Sequence, residues 1–168
     1  MPTQSAIACD SLGSEVILDR QGCRAFTSAS LEGIKRISIS RGNKSRGVSR
    51  DRSTISGIRL EYHGDKLNAV LGQWLAGFDY IELNATEELT EVKIWTKKSH
   101  VYTARKVYSG PIVRITVSTS TGRSKTFQVA DDLSDCIAVS FRANRYENLV
   151  GLCARLRNIR CECFLLTA

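Results

Sequence analysis

The sequence predicts an all-β domain, and three observations carry that prediction. Short apolar-alternating segments recur along all 168 residues, with turn residues between them. No segment has a convincing helical period. Strand segments of one flavour begin near Ile34, Ile55, Leu89, Ile112 and Leu149, with short and long intervals alternating. Such a recurrence predicts about three units of roughly four strands each, related by a pseudo-threefold arrangement.

In chain order, residues 1–14 read as a polar tail and 15–168 as one domain. Glu15 to Leu18 is a short strand, broken at Gln21, Gly22 and Cys23. Arg24 to Phe26 enters a loop. Leu31 to Ser40 is a strand with Ile37 and Ile39 on one face and Ile34 on the other or in a bulge. The stretch Ile55–Trp95 organises the rest. In it Ile58, Leu60 and Tyr62 alternate with Arg59, Glu61 and His63, and His63 to Lys66 is a turn. Val70 to Trp74, Phe78 to Leu83 and Leu89 to Trp95 are further strands, and Thr86 to Glu88 is a turn. Lys97 to Tyr108 is a polar, basic connection. Ile112 to Thr119 is a strand with Val113, Ile115 and Val117 on one face and Ile112, Arg114 and Thr116 on the other. Thr121-Gly122 turns it into Ser124 to Val129. An acidic loop, Ala130 to Asp135, precedes the strand Cys136 to Phe141. Arg142 to Glu147 is a loop, and Leu149 to Cys153 and Ile159 to Leu166 close the domain. The run from Asn148 to Ile159 partly fits a helical period, but Gly151 and its strand-rich surroundings favour a strand. Eleven or twelve such strands imply an antiparallel sandwich, barrel or prism.

Composition narrows the function classes. Apolar residues make up 42% and charged residues 24% of the chain, which places it among globular rather than disordered sequences. The formal net charge of +7 leans towards anionic partners. No apolar run reaches the ~18 residues of a membrane span, and the N-terminus lacks the basic and apolar regions of a secretory signal. A cytoplasmic location is expected on that basis. The six cysteines are then read as free thiols rather than a disulfide framework. Cys153, Cys161 and Cys163 do not have zinc-ligand spacing. His63 and His100 lack a spaced nucleophile or carboxylate, and Asp131, Asp132 and Asp135 lack a calcium-loop pattern. No catalytic residue, metal site or cofactor is therefore expected, and the chain is not read as an enzyme. Trp74 and Trp95 are read as core residues. Arg41, Lys44, Arg46, Arg50 and Arg52, with Asp51 as the single acid among them, form a basic loop that reads either as an anion-binding loop or as a solvated hairpin connection.

Several segments in order carry a resemblance to a known family. They are Gly22 to Phe26, Gly33 to Ile37, Ile58 to Tyr62 with Gly64-Asp65, and Ile81 to Leu83. Glu88 to Val92, Ile112 to Thr119 with Thr121-Gly122, and Leu149 to Gly151 complete the series. Together, over about residues 15 to 166, they resemble the jacalin-related lectins, and the central piece is similar to jacalin-like domains of fungal proteins. The resemblance implies a β-prism of three four-stranded Greek-key sheets and a carbohydrate-binding module without catalysis. Its sugar site would lie at one end of the prism, between a glycine-rich N-terminal segment, here Gly22, and the loop between the last two strands, here Arg157, Asn158, Ile159 and Arg160. Arg157 stands where the family pattern has glycine, and Cys161 where it has aspartate. Arg155, Arg157 and Arg160 would then favour an acidic glycan. The alternative is a structural or protein-interaction domain with a degenerate sugar site. A glycan or glycoprotein is the expected partner, a homo-oligomer is compatible, and nucleic acid is a weaker third reading.

Overall fold

The structure is a computed structural model that describes residues 6–8, 15–18, 25–42, 52–98, 109–142, 149–157 and 160–167. Among them there is no helix, and the strands number thirteen: β1 (Ala6–Ala8), β2 (Glu15–Leu18), β3 (Ala25–Ser30), β4 (Ile34–Arg41), β5 (Ile55–Tyr62), β6 (Ala69–Gly72), β7 (Ala76–Glu82), β8 (Leu89–Lys98), β9 (Ser109–Thr119), β10 (Ser124–Gln128), β11 (Cys136–Arg142), β12 (Leu149–Arg157) and β13 (Arg160–Thr167). β1 lies within the stretch expected to be a polar tail and pairs with β2.

The strands form three antiparallel sheets, ordered β6-β5-β4-β7, β10-β9-β8-β11 and β1-β2-β3-β12-β13. The first two have the same Greek-key connectivity. Within the third, the run β13-β12-β3 repeats the β5-β4-β7 and β9-β8-β11 runs, so a common three-strand motif occurs three times. The third sheet has five strands rather than the expected four, and its added strands, β2 and β1, lie beyond β3. The pairing of β3 with β12 also joins the two ends of the chain. The result is an all-β prism with pseudo-threefold symmetry.

Alternation builds the core. Val92 and Ile94 of β8, Ile115 and Val117 of β9, Ile58 and Leu60 of β5 and Phe127 of β10 all point inward and are buried. Bulges adjust the pattern. A register shift between Ile34 and Arg36 turns Ile34 onto the inner face with Ile37 and Ile39. A second, opposite Trp95 and Thr96, buries Ile112 beside Val113 although the two are neighbours in sequence. An extra residue in a strand resets its period of two, and both exceptions to strict alternation follow from that.

Polar contacts hold the seams between sheets. The Tyr62 hydroxyl donates to the Ser30 carbonyl at 2.7 Å, and burial pushes that phenol up to about 12. Lys125 of β10 meets Asp79 of β7 at 2.9 Å. Glu87, buried in the connection from β7 to β8, receives the turn after β9. Its carboxylate accepts from Arg123 Nε at 2.9 Å and Nη2 at 2.6 Å, from Thr121 Oγ1 at 2.6 Å and from the Asn84 N–H at 3.1 Å. Gly122 makes that turn possible, because its φ of 81° lies in the left-handed region.

Candidate functional site

In an antiparallel sheet, successive connections fall at alternate ends. One end of the prism therefore collects the ends of β4, β8 and β12 with the starts of their partners. Arg41 lies opposite Ile55 and Ala76, Lys97 opposite Cys136, Lys98 opposite Ser109, and Arg157 opposite Arg160. Each of the three sheets thus delivers cations to this end, and Arg52, exposed just before β5, adds another. The acidic loop before β11 lies here too, with the Asp135 carbonyl accepting from the Lys98 N–H at 2.8 Å. Within that loop Asp132 caps the Ser134 N–H at 2.9 Å, and this bond is the main cause of its lowered pKa.

Strand termini that flank the two segments expected to form the sugar site lie at this same end. Ala25, three residues after Gly22, lies opposite Leu156, the residue before Arg157, and Leu156 lies opposite Cys161 on its other side. Leu18 pairs with Ala25 as well, so four strand termini form one row. Arg157 and Arg160 end their strands as a register pair. Gly22, Asn158 and Ile159 lie outside the described residues. The run from Leu149 to Arg157 is one continuous strand rather than a helix, because β3 and β13 pair with it on both sides. Ala25 and Phe26, expected in a loop, are strand residues for the same reason.

The basic loop opens at this end as well. The Gly42 N–H donates to the Thr54 carbonyl at 3.0 Å, and the Thr54 hydroxyl returns to the Gly42 carbonyl at 3.3 Å, which closes its base. Arg41 lies over the Phe78 ring at 5.2 Å. Lys44, Arg46 and Arg50 lie outside the described residues. Beside the loop, the buried Ser40 hydroxyl accepts from the Leu75 N–H at 2.8 Å and the Ala76 N–H at 3.0 Å, and bonds the Ser56 hydroxyl at 3.0 Å. The Gln73 carbonyl packs against Gly57 so closely that an added Cβ would sit 2.6 Å from it.

Neither tryptophan belongs to the core. Both are half-buried on outer faces, Trp74 under Arg59 at 4.4 Å and Trp95 under Arg114 at 4.4 Å and Lys93 at 5.0 Å. The period of two in Glu91, Lys93, Trp95 and Lys97 already placed these four on one face, and Val92, Ile94 and Thr96 on the buried one. His63 bonds the Leu83 carbonyl at 3.3 Å, a structural contact, and His100 is outside the described residues. Burial pushes the Cys136 thiol up, so it is a poor nucleophile. Among the described residues no group of three His, Cys, Asp or Glu side chains is arranged to hold a metal ion.

No protein-family model matches the sequence, nor does any curated protein. Solved structures do match in fold. Artocarpin complexed with Me-alpha-mannose superposes with a TM-score of 0.57 at 16% identity, over 100% of this chain and 99% of that one. A prostate-specific glycoprotein lectin gives 0.56 at 17% identity, over 88% and 92%. Calystegia sepium agglutinin gives 0.54 at 12% identity, over 100% and 98%. The fold is the β-prism of the jacalin-related lectins.

Proposed function

We propose that this chain is a carbohydrate-binding, lectin-like module without catalytic activity, and that it favours acidic glycans. One observation supports the reading: the starts of β3 and β13 and the end of β12 lie side by side at one end of a prism whose fold is shared with a mannose-complexed lectin. Hydroxyl-rich ligands need convergent hydrogen-bonding groups on a fixed frame, and terminal strand positions supply such a frame. The preference for acid groups follows from what that end contains. Cys161 occupies the position expected to be aspartate, so no carboxylate is available there to accept from sugar hydroxyls. Arg157 and Arg160 are joined at the same end by Arg41 and Lys98. Guanidinium groups pair with carboxylate and sulfate oxygens in a planar fork, which neutral hydroxyls cannot match. Glycans or glycoproteins are the proposed partners, and jacalin-like domains of fungal proteins the proposed kin.

A second reading keeps the fold and gives up the sugar: Cys161 in place of the carboxylate is what a structural or protein-interaction domain with a degenerate site would show. An array of neutral and acidic glycans separates the two. Binding to uronic, sialylated or sulfated members is expected, with loss in the Arg157→Glu/Arg160→Glu variant. No binding to any glycan at high protein concentration would sink the lectin reading. Charge reversal at Arg46 and Arg50 leaves this binding intact, unless the loop between β4 and β5 is the true anion site.

A further inference from the structure

The outer face of the β10-β9-β8-β11 sheet carries a cluster that the prism-end site does not use. Four strands set it in two rows. Ala138, Trp95, Arg114 and Gln128 lie side by side in one, and Ser140, Lys93, Thr116 and Thr126 in the next. Lys97 follows Trp95 on the same face of β8. Trp95 therefore has cations on three sides: Lys93 and Lys97 along its own strand, and Arg114 across the pairing.

Several cations elsewhere on the prism are ion-paired, whereas Arg59 over Trp74 is, like this cluster, without an ion pair among the described residues. Arg36 is held by Glu82 and Glu61, Arg123 by Glu87, Lys125 by Asp79 and Arg142 by Glu91. Lys93, Lys97 and Arg114 have no ion pair among the described residues. The Arg114 Nε is enclosed and has no hydrogen-bond partner there. The carboxylate on this face, Glu91, is engaged by Ser140 and Arg142, and Asp132 lies near Lys97 without pairing with it. An indole attracts cations to its ring and orders them, but leaves their charge intact. The side chains on this face are thus arranged and unneutralised.

We propose that this sheet face is a second binding surface, for an acidic polysaccharide whose carboxylate or sulfate groups bridge Lys93, Arg114 and Lys97. Around the cations stand Thr116 and Thr126, whose hydroxyls bond each other at 2.9 Å, with Gln128 and Ser140 at the margins. Such groups suit a ligand rich in hydroxyls, and the small Ala138 leaves the surface flat. Single-stranded nucleic acid fits less well, because its bases need a free aromatic face to stack on. Here Arg114 and Lys93 already cover the indole. The inference rests on the carbohydrate reading for the ligand's class alone, since the face is separate from the prism end.

The test uses dextran sulfate and polygalacturonate as probes, neutral dextran and single-stranded DNA as contrasts, and Trp95 fluorescence in a Trp74→Phe background as one readout. Calorimetric affinities at two salt concentrations give the other. Lys93→Glu, and separately Arg114→Gln, should each weaken binding of the acidic polymers by at least about tenfold and flatten its salt dependence, since fewer counterions are released. The lysine variant alters one half-buried side chain on the outer face, and an unchanged melting temperature verifies its fold. Undiminished binding in that folded variant overturns the proposal, as does single-stranded DNA binding that matches the acidic polymers and falls with the same substitutions. If Arg157→Glu/Arg160→Glu abolishes acidic binding while the lysine variant retains it, the face is refuted and the prism end upheld. If acidic polymers bind through the face while the prism-end variant changes nothing, the face is upheld and the prism-end reading fails.

Discussion

Glu87 sits in a five-residue neighbourhood that reads as nothing more than a polar turn, yet it is the most enclosed carboxylate of the described chain. Arg123 beside it holds its carboxyl well below the usual carboxylate range. The Thr119 and Thr121 hydroxyls and the Asn84 N–H add to that effect, and burial opposes it. A carboxyl that titrates lower in the folded than in the unfolded chain adds stability above its ordinary value, and this is lost as pH falls towards the folded value. The wild type should therefore lose stability on acidification below about pH 5. Glu87→Gln should lower stability at neutral pH by about 1–3 kcal/mol and decline less steeply in acid, so that the two curves converge. Denaturant melts across that range check both. No sequence signal identifies Glu87, because its partner Arg123 is distant in the chain and meets it only when β8 pairs with β9.

At the scale of elements, the alternation in β5, β8 and β9 was legible, and so were the turns at His63–Lys66 and Thr121-Gly122. β3 was not, because Ala25 to Ser30 carries only Phe26 as a large apolar residue and owes its strand conformation to β2 and β12 on either side. Nor was the third sheet's composition, because pairing between chain ends leaves no local trace. Ser40 shows how elements are tied beyond the ladder: its one hydroxyl accepts two backbone N–H groups from the connection into β7. Ser40→Ala should leave the Leu75 and Ala76 N–H groups without that acceptor and cost about 1–3 kcal/mol. Hydrogen exchange should accelerate at those two amides and remain unchanged in β9. Uniform acceleration throughout the molecule would instead indicate a global loss of stability.

For the whole molecule, three sheets share one core, and Phe127 is its largest fully buried side chain. It belongs to a short strand at the sheet margin, yet it is fully buried in the core cluster. Phe127→Ala should cost about 3–5 kcal/mol through lost burial and the cavity left behind. A single cooperative thermal transition, shifted down, is expected. Two separate transitions would show that the sheets fold independently.

By itself the sequence determined the all-β class, most strand positions and the threefold recurrence. All of these rest on local periodicity, turn chemistry or order along the chain. The tertiary structure decided what depends on partners distant in sequence. Bulges put Ile34 and Ile112 into the core, and both tryptophans face outward although their composition suggested the core. Glu87 found its arginine in the turn after β9. β3 and β12 paired across distant parts of the chain, which no local pattern could require. Alternation specifies that a strand has two faces. Which face becomes the interior is settled only when the sheets pack, because burial is a property of the assembled surface.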